Sequence, residues 1–217
     1  MITFITPYRE EDNFNAFKKR ILDKFPGSQV IGYKGNDYGS FFGVWRKALP
    51  EVKNKYICLT HDDTEYLEIP DLDTIFKDKV GMVGVAGTTI LHKDQPWWFS
   101  EERLLGGILS GQILHREEKG NALSVFGPYG EVVTLDGVCM ITTKEILEDV
   151  GIPEKDYGTF DFYDHILSLE YLKKGYRLLT VPIQMIHNSK GGDKRQSFYD
   201  SLGKFSEEYL TQTWRKH

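Results

Sequence analysis

The chain has 217 residues, a formal net charge of −5 and only 2 cysteines. That length suits one sizeable α/β domain burying roughly 70% of its unfolded surface, which needs no disulfide framework or structural metal to fold. The acidic balance argues against a sequence-independent grip on nucleic acid. No apolar run approaches the ~20 residues of a membrane span, and no basic leader opens the chain.

Met1 to Thr6 reads as a buried strand ended by Pro7. Asp12 can cap a helix over about Asn13 to Lys24, with Phe14, Phe17, Ile21 and Leu22 on its apolar side. Pro26-Gly27 breaks it, Gln29 to Tyr33 gives a second strand, and Gly35-Asn36-Asp37 is a turn. A helix over Ser40 to Leu49 then precedes a third strand, Tyr56-Ile57-Cys58-Leu59-Thr60. This alternation predicts a parallel, doubly wound sheet in the N-terminal part.

The third strand stops at His61-Asp62-Asp63. Ligands of open α/β sheets bind where strands end at their carboxyl edge, and carboxylates there can hold a divalent cation against a diphosphate. The same segment also reads as a strand followed by an acidic, solvated turn. Neighbouring residues at a strand end tend to opposite sides, so His61 and Asp63 share one side. Asp63 is the better ligand for a hard cation, and Asp62 is as readily a turn former.

From about Gly87 to Gly130 the periodicity is poor; Trp97-Trp98-Phe99 reads as a buried plug, an interface or a sugar-stacking platform. Asp136 to Ile141 restores a strand, and Thr143 can cap a helix over Lys144 to Val150 that Gly151-Ile152-Pro153 ends. A helix over Phe162 to Lys174 stops at Gly175. Phe162, Ile166, Leu169 and Leu172 fall on one side of it and Asp164 on the other. Asp164 is then either favoured by the helix dipole or a general base aimed into a cleft, and Asp161 is the expected cap. Strands at Arg177 to Val181 and Gln184 to His187 follow, with His187 a structural residue or a metal ligand. Lys190, Lys194 and Arg195 lie on a mobile-looking polar loop, either solvated or clamping a diphosphate. A last helix runs from Phe198 to Trp214. With no repeat or linker, residues 1–217 are expected to form one domain. Cys58 and Cys139 sit in apolar runs as core residues, which suits a reducing, cytoplasmic location.

In order along the chain stand Thr6-Pro7-Tyr8, His61-Asp62-Asp63, Leu135-Asp136-Gly137-Val138 and Phe160-Asp161-Phe162-Tyr163-Asp164. Gly175-Tyr176-Arg177 and Ile186-His187-Asn188-Ser189 with Gly191 follow. This series resembles the family-2-like inverting glycosyltransferases of GT-A fold, nearest to a short branch whose metal motif reads His-x-Asp. The resemblance implies an α/β fold with a mostly parallel central sheet, flanking helices and a small additional antiparallel element. It implies a nucleotide-binding half over about 1–65 and an acceptor-binding, catalytic half over about 66–217. The donor would be a nucleoside-diphosphate sugar, UDP- or GDP-linked, and the acceptor a hydroxyl on a glycan, with Mn²⁺ or Mg²⁺ as cofactor.

Residue by residue, the resemblance makes Asp63 the last position of the Asp-x-Asp metal motif, with His61 in place of the first aspartate. His187 matches a strand-end histidine that completes the metal site in some relatives. Asp164 matches the base of a Glu-Asp pair, Asp136 matches a position near the donor sugar and acceptor, and Thr6, Pro7 and Tyr8 match the first strand end, where the nucleotide base and ribose sit. Tyr163 departs from the usual glutamate and Ile166 from a second aspartate. A non-catalytic sugar-nucleotide binding domain is the alternative these departures leave open. A histidine–aspartate phosphohydrolase would need helical spacing that His92, His115 and His165 lack, and a structural module docking a partner through Trp97-Trp98 is a third reading.

Overall fold

A computed structural model describes residues 1–93, 109–117, 120–155, 160–188 and 196–216. Trp97-Trp98-Phe99, Gly158-Thr159 and the loop carrying Lys190, Lys194 and Arg195 lie outside the described residues. The chain begins β1 (Ile2–Tyr8), α1 (Glu11–Lys24), β2 (Gln29–Lys34), a single turn α2 (Gly35–Tyr38) and α3 (Phe41–Ala48), with a 3-10 turn at Leu49–Glu51. Then come β3 (Tyr56–Thr60), β4 (Thr64–Glu68), α4 (Leu72–Ile75), β5 (Val80–Gly84), β6 (Ala86–Thr88) and β7 (Ile90–Leu91). A long hairpin follows, β8 (Leu109–Glu117) and β9 (Gly120–Gly127), and after it β10 (Glu131–Val132), β11 (Thr134–Leu135), β12 (Cys139–Thr143) and α5 (Lys144–Val150). The chain closes with α6 (Tyr163–Lys173), β13 (Arg177–Thr180), β14 (Gln184–His187), α7 (Gln196–Tyr209) and β15 (Trp214–Arg215).

The central sheet has seven strands in the order β10-β13-β5-β12-β3-β1-β2. β1, β2, β3, β5 and β13 run one way, and β12 and β10 run against them. The expected parallel N-terminal part is present. The expected small antiparallel element is larger: a second, six-stranded sheet, β11-β6-β8-β14-β4 with β9 on β8, antiparallel except where β14 runs parallel to β8. The poor periodicity between Gly87 and Gly130 therefore concealed a hairpin. β9 has exposed Leu123 and Val125, so it lacks the apolar/polar alternation that marks a half-buried strand.

Several boundaries differ for local reasons. Pro7 does not end β1, which continues to Tyr8. β3 pairs with β1 only as far as Ile5, so Pro7 meets β2 alone and its missing N–H breaks no bond on the other side. Helix α1 starts at Glu11 with Glu10 at its cap, and Asp12 contributes charge to the first turn instead. Its Phe14, Phe17 and Ile21 are buried, but Leu22 is 39% exposed. Gly35-Asn36-Asp37 forms one helical turn, the Asp136 strand begins only at Cys139, and the last helix ends at Tyr209. Thr143 does cap α5, accepting from Ile146 N, whereas Ser40, expected as the first helical residue, instead caps α3 by accepting from Gly43 N. Cys58 and Cys139 are free and buried.

Helix α6 departs furthest from its expected amphipathic form. Every residue from Tyr163 to Leu169 is buried, polar Asp164, His165 and Ser168 included. A helix covered all round must give its polar groups partners. Ser168 Oγ accepts from Leu135 N at 3.1 Å, and His165 Nδ1 meets Asp164 Oδ1 at 2.9 Å. Asp161 is not the cap: Phe162 occupies that position in the left-handed region, φ 58°, with its ring 2% exposed and stacked on Phe205. Gly175, at φ 80°, lets the chain leave α6 and enter β13.

Candidate functional site

The carboxyl ends of β1, β2 and β3 open into one cavity of about 500 Å³. Its wall includes Pro7, Tyr8, Arg9 and Gly35 from the first two strand ends, His61-Asp62-Asp63 from the third, and Phe41, Phe160 and Tyr163 opposite. Thr6 is buried beneath this wall, with its hydroxyl on Pro7 O. The ring of Tyr8 stacks on Phe14 at 4.7 Å, which places it against α1.

The link His61-Asp62-Asp63 is a tight connection between β3 and β4 held by buried hydroxyls. Thr60 donates to Val138 O at 2.8 Å, Thr64 to His61 O at 2.8 Å, and Tyr66 to Thr60 at 2.8 Å. Antiparallel pairing of β14 with β4 sets His187 opposite Thr64. Asn188 then donates both its backbone N–H and its side-chain amide to Asp63 O, at 2.8 and 2.9 Å. Asp63 and Asn188, 125 positions apart, are thereby clamped at one point.

His61, Asp63 and His187 come together there, each offering one ligand atom within 4.8 Å of the others. Asp63 Oδ1 lies 3.4 Å from His187 Nε2 and 3.9 Å from His61 Nδ1. Asp63 Oδ1 and His187 Nε2 are buried, yet neither makes a hydrogen bond. Buried polar atoms in native proteins are nearly always satisfied. Two orphans facing each other at a cavity edge, with an imidazole alongside, fit a bound cation. One carboxylate and two imidazoles form a donor set for a divalent ion of intermediate softness.

Electrostatics agree. Burial pushes His61 down to about 4, keeping the imidazole neutral and its lone pair available near pH 7. For Asp63 burial acts upward, but His187 and then His61 outweigh it and hold the carboxyl below its usual value. Asp62, raised to about 6 by burial and then by Asp63, faces the field of Arg9 and Arg20. His61 and Asp63 do share a side, and Asp62, expected to face elsewhere, lines the same cavity without joining the metal-capable group.

Asp164 and Asp136 lie near this point without lining the cavity. Asp164 is 8% exposed and fully engaged. Its Oδ2 accepts from Gly137 N at 3.1 Å, and its Oδ1 accepts from His165 N at 2.8 Å and meets His165 Nδ1. Burial acts upward on Asp164, but His165 and Gly137 hold it low. Asp136, whose Oδ1 accepts from Val138 N at 2.9 Å, is pushed up by burial and by Asp164. His92, His115 and His165 join no metal-capable group among the described residues.

Five participants were given no such role by the sequence reading. Arg9 follows the first strand end, Phe41 opens α3, and Asn188 clamps Asp63. Tyr163, which stands where the resembled family has glutamate, meets His61 Nε2 with its hydroxyl at 2.6 Å. His115 stands beside His187 in the parallel pairing of β8 with β14, ring centroids 5.6 Å apart. The signal available in the sequence was adjacency to expected site residues: Arg9 follows Tyr8, Tyr163 precedes Asp164 and Asn188 follows His187.

A mostly parallel sheet whose first strand ends open on a nucleotide-sized cavity, with an acidic link after the third strand, defines the GT-A class of fold. In keeping with it, GalNAc-T7, whose structure was determined with UDP, GalNAc and Mn²⁺, superposes with a TM-score of 0.60 at 7% identity. The match covers 97% of this chain and 50% of that one, so the present chain spans half the length of that relative. A mannosyltransferase from Pyrobaculum calidifontis in complex with GDP-Man and Mn²⁺ gives a TM-score of 0.49 at 14% identity, over 96% of this chain and 69% of its own. No curated protein matches the sequence. The family described as "Glycosyltransferase like family" matches residues 40–199, well over half of the chain. The protein belongs to that glycosyltransferase-like family.

Proposed function

We propose that this protein is a metal-dependent inverting glycosyltransferase, moving a sugar from a UDP- or GDP-linked donor to an acceptor hydroxyl on a glycan. The observation that carries this reading is the convergence of His61, Asp63 and His187, with orphaned Asp63 Oδ1 and His187 Nε2, at the carboxyl edge of a GT-A sheet. Those three residues would hold Mn²⁺ or Mg²⁺. When bound, such an ion supplies charge neutralisation for the departing nucleoside diphosphate.

The chain's own residues divide the remaining work. Thr6, Pro7 and Tyr8 form the nucleoside side, with Asp62 facing the same cavity. Lys190, Lys194 and Arg195 would add positive charge at the diphosphate. Asp136 would border the donor sugar. As the acceptor oxygen bonds to the anomeric carbon, its proton passes to the Asp164 carboxylate and the bond to the diphosphate breaks, the leaving oxygen keeping the electron pair. Attack from the face opposite the leaving group inverts the anomeric centre. Residues 1–65 would serve the nucleotide and 66–217 the acceptor, within one domain. The two free buried cysteines suit a reducing cytoplasm.

One observation favours a second reading, a sugar-nucleotide binding domain without turnover: both Asp164 oxygens already accept hydrogen bonds in a nearly closed site. A panel of nucleotide sugars with Mn²⁺ or Mg²⁺, followed by thermal shift and by nucleoside-diphosphate release, separates the two. Metal-dependent stabilisation with release, abolished in Asp164→Asn while donor binding persists, supports transfer. Binding without release across a broad acceptor set overturns transfer and leaves the binding domain.

A further inference from the structure

Where the resembled family places acidic residues, this chain has a histidine at 61 and a tyrosine at 163, and the fold brings the two into contact over 102 positions, at 2.6 Å. The phenol is held from three directions. Its ring stacks on Phe41 at 3.8 Å and 12°, and Trp45 meets it edge-on at 5.6 Å. Its hydroxyl end covers Gly137, where a Cβ would lie 2.5 Å from Cε2 and Cζ. The ring of His61 is thus gripped at Nε2 by a group that cannot swing away, while Nδ1 faces Asp63 Oδ1 at 3.9 Å.

A neutral imidazole has one N–H and one lone pair. If Tyr163 donated to Nε2, the proton would sit on Nδ1 and that nitrogen could not ligate. If Tyr163 accepts from Nε2–H, the lone pair is on Nδ1, aimed toward Asp63 and His187. The 3.9 Å gap between Nδ1 and Asp63 Oδ1 is too long for a hydrogen bond, so this carboxylate does not hold a proton on Nδ1. Ligating histidines generally give their second N–H to a fixed outer partner.

We propose that Tyr163 is a positioning residue of the metal centre: it accepts the Nε2–H of His61 and so fixes Nδ1 as the nitrogen that binds a divalent cation. The histidine and tyrosine then act as one unit, a neutral ligand with its orienting partner. This inference rests on the metal-dependent reading above.

The test is Mn²⁺ affinity, measured by the electron paramagnetic resonance of free Mn²⁺ without nucleotide, in wild type, Tyr163→Phe, His61→Asp and the double variant. Phenylalanine keeps the stack and removes only the hydroxyl. The expected loss in Tyr163→Phe is roughly 10–100-fold, as for other outer-shell partners. In the His61→Asp background the same change should have no further effect. A twofold or smaller loss in Tyr163→Phe, with wild type binding Mn²⁺, overturns this inference alone and leaves the proposed function standing. Equal losses in both backgrounds overturn it in favour of a packing role, and absence of binding in wild type overturns both readings. Nitrogen-15 NMR of the wild-type protein needs no variant: a proton on Nε2 of His61 is expected, and a proton on Nδ1 refutes the proposal.

Discussion

Gly137→Ala tests the coupling of core and site with a single methyl group. The added carbon would lie 2.5 Å from Cε2 and Cζ of Tyr163 and nearer still to its hydroxyl, against an ordinary contact of at least 3.4 Å. One side must therefore shift by most of an ångström. Tyr163 has little room, since Phe41 stacks on it at 3.8 Å and Trp45 closes its edge. The loop is held as well, through Gly137 N to Asp164 Oδ2 at 3.1 Å. Overpacking of this kind costs about 1–3 kcal/mol. In a chain of this size each kcal/mol lowers Tm by about 2–4 °C, so a fall of about 2–12 °C is expected. Displacing the phenol also releases His61, so Mn²⁺ affinity should fall alongside Tm. Circular-dichroism melts and Mn²⁺ titration measure the two, with Gly130→Ala as control because nothing lies within 4 Å of its added methyl. Wild-type Tm and wild-type Mn²⁺ affinity in Gly137→Ala would refute the geometry argued for Tyr163.

Three further outcomes follow from particular residues. Asp63→Ala removes the ligand facing both histidines and should abolish metal-dependent donor binding in calorimetry while the fold persists; unchanged affinity would remove the metal site. Gly203 lies exposed within α7 with open space at its Cβ, so Gly203→Ala should stabilise the protein by about 1 kcal/mol in urea unfolding, and a loss would show that the helix is not formed there. Asp164 has a folded pKa below its ordinary value, so its stabilisation is fully present above the unfolded pKa of 3.8 and is lost as pH falls through the folded value. Asp164→Asn should cost about 1–3 kcal/mol near pH 7. Its deficit against wild type should shrink below about pH 4; a constant deficit across that range would mean the carboxylate charge contributes nothing.

What could be read in advance was local. The strand ending at Thr60, the cap at Thr143 and the stop at Gly175 each depend on residues within one turn or strand of themselves. The β8–β9 hairpin was hidden because Leu123 and Val125 point outward, against the polar expectation for that face. Helix α6 looked amphipathic since Asp164, His165 and Ser168 are polar. Their burial follows from partners at Leu135 and Gly137, some thirty residues away, and from the adjacent aspartate–histidine pair.

The sequence by itself determined that His61 and Asp63 stand at a strand end and that His187 stands at another, because chain adjacency and alternation decide which side chains a strand end presents. Sheet register decided the rest. Pairing of β14 with β4 brings His187 to Asp63, and the packing of α6 against α3 lays Tyr163 on Phe41 and against His61. Which distant side chains meet depends on register and on crossing helices, and a shift of one residue in β14 would turn His187 to the opposite face. Such choices are made by the burial of the whole core, and no short window of sequence contains them.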